Sequence, residues 1–273
     1  MLRAGLDLDE LRRRLLPPLR RAVSVDAPWW AAAHPATLLF NRAEREEIPA
    51  ETGPYFVTNE FLEDDVNKWT ELARDRHGLR TLWEATGGKP QTSARYRDIL
   101  KPLRLGDELR AVLRVEDQCW SYLCMHREGP AGFSAQESRF VERIAPHLAD
   151  GFRLATLIGD TLVEGVSPPG VVVIAEDGSR SAANAAAERW LDELGADPGR
   201  NELPLELLAV AARLQGLDGR GERSPRLRVR TRAGRWAVLH ASWLAEPPAR
   251  SVAVIIEHAT ASEVLPLLLP AYG

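Results

Sequence analysis

The residues best equipped for chemistry gather in one stretch of this chain: Arg110, Arg114, Trp120, Tyr122, Cys124 and His126. They lie on two runs of alternating polarity, Glu108 to Val115 and Cys119 to His126, separated by Glu116-Asp117-Gln118. That pattern is a β-hairpin. A turn centred on Asp117 sets Arg114 opposite Trp120, Val112 opposite Tyr122 and Arg110 opposite Cys124. One face of the hairpin then carries Leu109, Ala111, Leu113, Leu123 and Met125 and belongs to a core. The other gathers the six chemically able residues. Cations beside aromatic rings suit a pocket for an anionic or aromatic ligand. They equally suit a solvated sheet face on which arginines lie over rings.

Other chemistry finds little support. Cys124 and His126 as nucleophile and base require an orienting acid and an oxyanion hole, and neither is visible. Cys119, Cys124 and His126 do not read as a metal set, because strand alternation places Cys119 on the face opposite the other two and no fourth ligand stands nearby. The remaining histidines, His34, His77, His147, His240 and His258, are scattered. Neither Gly219-Arg-Gly221 nor Gly87-Gly88 has the context of a phosphate loop. The expectation is no catalytic residue, no metal and no cofactor.

Composition narrows the class. The chain has 273 residues, 45% hydrophobic and 27% charged, which suits two soluble globular domains. A net charge of −4 removes any broad electrostatic case for nucleic acid. The acidic start has no signal-peptide core, no run is long enough to span a membrane, and two cysteines give no disulfide framework. A cytoplasmic protein with no membrane partner is expected.

The elements that must position the hairpin follow from period and caps. Leu8, Leu11, Leu15 and Leu19 mark a helix over Leu6 to Val23, which Pro17-Pro18 should kink or interrupt, with its arginines on a solvated face. Trp29 to Phe40 reads as a strand or strand pair turning near His34-Pro35, and Arg42 to Thr52 as a polar loop. A short extended piece at Tyr55 to Val57 precedes a helix over Asn59 to His77; short elements follow at Thr81 to Gly88 and Arg95 to Leu100. Ser134-Ala-Gln-Glu137 is a capping box, stapled by Phe133, for a helix reaching Gly165. Its apolar positions (Phe140, Val141, Ile144, Leu148, Phe152, Ala155, Leu157, Ile158 and Leu162) keep the helical period, and Gly151 is its weak point. Beyond it, strand Gly170 to Ala175, an Asp177-Gly178 turn, strand Arg180 to Ala183, and a helix capped by Asn184 are followed by a helix over Leu203 to Leu217. Three strands, Arg223 to Arg232, Arg235 to Leu244 and Val252 to Glu257, complete that unit. An apolar turn over Glu263 to Leu269 ends the chain.

Several of these stretches carry a family resemblance. Gly170 to Gly195, with its Asp177-Gly178 turn, Asn184 and Trp190, and the later Gly234-Arg235-Trp236, resemble a PAS domain. Ala22 to Asp160 is similar to a GAF domain. Tyr96 to Leu103, Gly106 to Leu109 and the closing Leu267 to Gly273 resemble the sensory half of actinobacterial LuxR-type transcription regulators. The resemblance implies an α+β chain of two domains, each an antiparallel sheet flanked by helices. The divisions are an N-terminal helix at 1–21, a GAF-like domain at 22–160, a connector helix at 134–164, a PAS-like domain at 168–260 and a linker at 261–273. A helix-turn-helix domain is expected beyond Gly273 and is absent from the sequence given, so DNA would be reached only through it. The expected role is signal input, with a small-molecule effector or protein contact, a homodimer paired through the connector, and Arg110, Arg114, Trp120, Tyr122, Cys124 and His126 lining the ligand site. The alternatives are an enzyme using the 108–126 face and a ligand-free scaffold for interaction and dimerisation.

Overall fold

A computed structural model describes residues 6, 8–45, 47–130, 132–157, 168–196, 202–217, 224–244 and 251–259. The chain divides into two compact units, residues 1–38 with 43–159 and residues 39–42 with 160–273. The described residues form an α+β protein with two five-stranded antiparallel sheets flanked by helices. No helix among them is long and apolar enough to cross a membrane.

The chain begins with α1, Leu8–Ala22, which runs through Pro17 and Pro18 without interruption. Two interior prolines cost about 3 kcal/mol each, while α1 buries Leu8, Leu11, Leu15, Leu16 and Leu19 at about 1.5–3 kcal/mol apiece. Burial therefore outweighs the two missing donors. Glu10 bridges Arg13 and Arg14 on the solvent side. Strands β1, Ala27–Ala33, and β2, Phe40–Arg45, follow. β2 takes up residues that polarity alone assigns to a loop.

The next segment departs from its periodicity. Tyr55 to Val57 is not extended but sits in α2, Gly53–Phe61, with Pro54 in its first turn, where a missing N–H costs nothing. Asn59 to His77 is not one helix: α2 ends at Phe61, and a single turn, α3, resumes at Trp69–Leu72. Between them the backbone turns back through Asn67, at φ 58°. β3, Leu79–Thr81, leads into α4, Leu82–Ala85, closed by a Thr81/Glu84 capping box. A single helical turn spans Tyr96–Leu100.

The hairpin is longer than its sequence signal: β4 is Leu105–Val115 and β5 is Gln118–Glu128. The first sheet has the order β2-β1-β5-β4-β3. Arg110 pairs with Cys124 and Val112 with Tyr122, as the alternation requires, but Arg114 pairs with Cys119 instead of Trp120. A β-bulge between the Leu113–Ser121 and Arg114–Cys119 pairs inserts one residue on β5. Cys119 is thereby opposite Arg114 and shares the face of Arg110 and Tyr122, not the reverse face.

The reverse face is core. Leu109, Ala111, Leu113, Leu123 and Met125 pack with α1 and with α5, Ala135–Leu157. Val141, Leu148, Ala149, Phe152 and Ala155 of α5 are buried there, and Trp30 of β1 stacks on Phe152 with centroids 5.3 Å apart. The helix continues past Gly151 and also contains Pro146, a helix breaker that its apolar period conceals. The two cost about 3 and 1 kcal/mol, less than burial of Val141, Leu148 and Phe152 returns. The remainder of the expected 134–164 helix lies outside the described residues, as does 261–273. The capping box is present: Glu137 N–H donates to Ser134 Oγ, and Ser134 N–H donates to Glu137 Oε2 at 2.8 Å. Arg127 at the end of β5 grips Glu137 Oε1 at 2.5 Å and covers the Phe133 ring.

The second unit is built from β6, Gly170–Ile174, and β7, Arg180–Ala183, then α6, Ala185–Glu193, and α7, Leu205–Gly216. Strands β8, Arg226–Arg230, β9, Trp236–Trp243, and β10, Val252–His258, complete a sheet of order β7-β6-β10-β9-β8. Asn184 Oδ1 caps α6 through Ala187 N–H. Val172, Ile174, Trp190, Leu207, Leu239 and Ile256 are buried in this unit.

Two predictions follow from the hairpin and its neighbours. A Cβ on Gly106 would meet the Gly129 carbonyl at 1.6 Å, whereas one on Gly129 meets nothing within 4 Å and suffers only its φ of 73°. Gly106→Ala should therefore lower unfolding free energy by up to about 3 kcal/mol and Gly129→Ala by about 1 kcal/mol, both read by urea denaturation. The second concerns acid. Burial raises the Glu137 carboxyl, but Arg127 and Ser134 bring it from 4.5 to about 2. A carboxylate depressed in the fold stabilises above its unfolded value, and that stability drains as pH falls from about 4.5 toward about 2. Denaturation curves taken across this window should show a shallower loss in Glu137→Gln than in the wild type.

Candidate functional site

The polar face of the hairpin is covered by the 53–72 segment and by Arg95, so its charged groups sit in the interior. Arg110 and Arg95 are 0% and 1% exposed and Glu108 is 1% exposed. Glu108 occupies the strand position two before Arg110, on the same face. Its Oε2 accepts from Arg95 Nη2 at 2.8 Å and Nε at 3.0 Å, and lies 3.2 Å from Arg110 Nε. Arg110 Nη1 donates to Glu60 Oε2 at 2.8 Å and to the Asn67 carbonyl at 3.0 Å. Glu60, from α2, uses its other oxygen to accept Trp69 N–H at 2.6 Å, which starts α3.

Asp65 anchors the outer part of this layer. Its Oδ2 accepts from Asn59 Nδ2, Ser93 Oγ and Arg95 N–H at 2.8–2.9 Å. Arg95 also donates to Asn59 Oδ1 and the Val66 carbonyl. Lys68 Nζ donates to the Asn59 carbonyl. Three carboxylates (Glu60, Asp65, Glu108) thus meet three cations (Lys68, Arg95, Arg110), all buried or nearly so.

Aromatic rings complete the cover. The Arg110 guanidinium lies 4.6 Å from the Trp69 ring centroid and 5.6 Å from that of Phe56. Trp69 packs against Tyr122 at 4.6 Å and Trp29 at 5.8 Å. Cation–π attraction is strongest where water is excluded, as here. Tyr122 O–H donates to the Leu38 carbonyl at 2.9 Å.

Beyond Arg110 the hairpin face changes character. Cys124 Sγ lies 3.3 Å from Glu108 Oε1 and 3.4 Å from His126 Nε2, and His126 Nδ1 lies 2.7 Å from the Ala27 carbonyl. Arg114 is half-buried and donates to the carbonyls of Ala73 and Arg76, tying down the loop after α3. Trp120 is buried at the bulge. Of the six residues singled out by sequence, the structure brings Arg110, Tyr122, Cys124 and His126 to one buried layer and sets Arg114 and Trp120 toward the hairpin tip.

The layer's electrostatics follow from burial and pairing. Burial alone would raise Glu108, but Arg110 and Arg95 hold it well below the usual carboxylate range. Burial likewise works against the Arg110 cation, and Glu108 and Glu60 more than restore it. Burial, reinforced by Glu108, pushes the Cys124 thiol well above its ordinary value, and burial takes Cys119 up to about 12. Both are therefore protonated thiols at neutral pH, poor nucleophiles as they stand. Four buried polar atoms of this layer have no hydrogen-bond partner among the described residues: Arg110 Nη2, Asn67 Oδ1, Trp69 Nε1 and Arg110 Nε, the last keeping its ion-pair contact with Glu108.

Sequence reasoning overlooked Glu108, although the alternation that selects Arg110 selects it too. Glu60, Asp65, Asn67, Lys68 and Arg95 carry no such signal, because they lie on short helical turns and the irregular backbone between them, and their polar side chains suggest solvent.

Neither protein-family models nor curated proteins give a match to the chain. Among solved structures it is similar to the GAF domain of a two-component sensor histidine kinase from Bacillus halodurans, at 17% identity and TM-score 0.35, covering 57% of this chain and 99% of that one. The VqsR LBD domain from Pseudomonas aeruginosa matches at 15% identity and TM-score 0.39, covering 58% and 93%. The sensor region of a sensor histidine kinase matches at 15% identity and TM-score 0.26, covering 91% and 89%. All three scores are low, and no property of those proteins transfers to this chain.

Glu108 is the hub of the layer, which its removal should reveal. Glu108→Gln leaves two buried guanidiniums facing a neutral amide and should cost about 3–5 kcal/mol of stability. Arg114→Ala breaks only bonds from a half-exposed guanidinium to carbonyls and should cost about 1–3 kcal/mol. Urea denaturation of the two variants side by side tests the ranking; equal losses would remove Glu108 from its central place.

Proposed function

We propose that the chain is the signal-input part of a LuxR-type transcription regulator. In this reading a GAF-like domain spans 22–160, a PAS-like domain spans 168–260, and the 134–164 helix relays a change to a DNA-binding domain beyond Gly273. The protein would be cytoplasmic and would pair as a homodimer through that helix. The reading rests on the sequence resemblance and on one structural observation: the buried charge layer under Arg110.

A fold that needs only stability gains little from such a layer, since apolar side chains of similar volume serve as well or better. A balanced set of charges, by contrast, changes its preferred arrangement when one more charge or hydrogen bond is added. Arg110 Nη2 and Asn67 Oδ1 are among the buried atoms of the layer left wanting a partner. An anionic or aromatic effector would bind beside Trp69 and Phe56 and satisfy the guanidinium, shifting the 53–72 segment. Its ordinary partners, Glu60 and Glu108, would then redistribute.

A second reading, a ligand-free scaffold, is favoured by the fact that Arg110, Tyr122, Cys124 and His126 each have partners from their own chain. An enzyme is disfavoured by the buried, protonated Cys124 thiol.

Native mass spectrometry of the purified chain decides between the first two. A small molecule retained by the wild type and reduced at least tenfold in occupancy by Arg110→Lys, which keeps the charge but loses the second donor, is the expected result. A wild-type protein that carries no small molecule, and whose melting temperature is unmoved by anionic and aromatic metabolites, would leave the scaffold.

A further inference from the structure

Three donor atoms of different chemistry meet at the inner edge of the charge layer. Glu108 Oε1, Cys124 Sγ and His126 Nε2 are separated by 3.3 Å (oxygen to sulfur), 3.4 Å (sulfur to nitrogen) and 3.5 Å (nitrogen to oxygen). These are three types of metal ligand on one nearly equilateral triangle, all buried. A tetrahedral zinc-class ion bonds nitrogen and oxygen at about 2.0 Å and sulfur at about 2.3 Å, which fixes ligand-to-ligand edges of roughly 3.3–3.6 Å. The triangle already has those edges.

The surroundings orient each donor as a metal requires. The Ala27 carbonyl can only accept, so His126 Nδ1, 2.7 Å away, carries the ring proton and Nε2 presents its lone pair to Cys124 and Glu108. Arg95 and Arg110 hold Glu108 through Oε2, which keeps the carboxylate ionised and fixes its plane with Oε1 toward the other two donors. Ala27, Arg95 and Arg110 thus act on the ligand residues from behind, through atoms other than the three donors. All three donors come from adjacent β4 and β5, within the regularly paired stretch from Glu108–His126 to Arg110–Cys124.

We propose that Glu108, Cys124 and His126 form a binding site for one zinc-class divalent ion, with the fourth coordination position left to water or an external donor. On binding, the Cys124 S–H bond breaks heterolytically, the sulfur keeps the electron pair as thiolate, and the proton leaves to solvent. His126 binds as neutral imidazole and Glu108 as the carboxylate it already is. The three carboxylates and three cations of the layer balance. The ion and the new thiolate therefore add one net positive charge, and an anionic fourth ligand (hydroxide, carboxylate or thiolate) neutralises it. Metal binding stands apart from the signal-input reading; only the anionic fourth ligand, taken as the effector, rests on it.

The test uses the whole chain, stripped with chelator and titrated with Co2+. The expected result is one ion per chain, with the intense visible bands of tetrahedral cobalt and a near-ultraviolet thiolate-to-cobalt band, both lost on adding Zn2+. Cys124→Ser should abolish the thiolate band, and His126→Ala should weaken binding by at least 100-fold, since even outer partners of metal ligands are worth 10–100-fold. Cys119→Ser, on the same sheet face but outside the triangle, should leave both readouts unchanged. Zn2+ should raise the wild-type melting temperature and not that of Cys124→Ser. A weak octahedral cobalt spectrum in the wild type, or a thiolate band that survives Cys124→Ser, overturns the proposal. The wild-type spectrum decides the matter even if a variant fails to fold. Tight cobalt binding in a chain that retains no small molecule would keep the metal site and remove the signal-input reading, so the two fail separately.

Discussion

Burying six formal charges under one sheet face is the constraint on which the first unit depends. Each ion taken from water costs several kcal/mol even after the protein relaxes around it. One ion pair in contact near a protein surface recovers about 4 kcal/mol, so a single partner does not suffice. The structure answers with shared partners: Glu108 Oε2 serves two guanidiniums, and Asp65 Oδ2 accepts from Asn59, Ser93 and the Arg95 amide. Backbone carbonyls supply the rest, with Asn59, Val66 and Asn67 each taking a bond from a buried cation.

That demand explains the irregular segment between Gly53 and Leu72. A continuous helix would spend the carbonyls of Asn59, Val66 and Asn67 on its own ladder and leave Lys68, Arg95 and Arg110 each short of an acceptor. Breaking it into α2 and α3, with Asn67 in a left-handed conformation, turns those carbonyls inward. Trp69 follows from the same break: its amide is held by Glu60, which places its ring over the Arg110 guanidinium and against Tyr122. Local backbone cost is met by nonlocal charge pairing.

What could be read from sequence divides along the same line. The second unit was legible nearly throughout, because its signals are local: the Asp177-Gly178 turn, the Asn184 cap, and runs such as Gly170–Ile174 whose residues are apolar and β-branched. The hairpin register and the Ser134/Glu137 box were legible for the same reason. The bulge at Cys119–Trp120 was not, since one inserted residue leaves alternation looking intact on both sides, and it carried Cys119 to the wrong face. The acidic first turn of Asn59 to His77 looked like helix-dipole chemistry, whereas Glu60 and Asp65 are ion-pair partners for arginines 30–50 positions away. No periodicity encodes such a pairing. Pro17, Pro18 and Pro146 were misjudged or passed over because breaker rules weigh the backbone alone, and buried leucines and phenylalanine outweigh it.

The hairpin itself has two faces with opposite physics, and this couples them. Arg110 projects into the charge layer, while its neighbours Leu109 and Ala111 are 0% exposed and pack in the cluster that holds Val141, Leu148 and Phe152 of α5. Strand period makes any one-residue slip exchange the two faces, so neither face can shift along the strand without burying charge in the apolar core. Movements available to the hairpin are therefore small tilts or changes of twist, and both faces share them. A tilt that relieves the charge layer must displace the apolar side chains against which α5 sits. Because interiors are close-packed, α5 follows or the core opens a void. Chemistry at Glu108 or Arg110 is in this way mechanically joined to the helix on the far side of the sheet, within one unit.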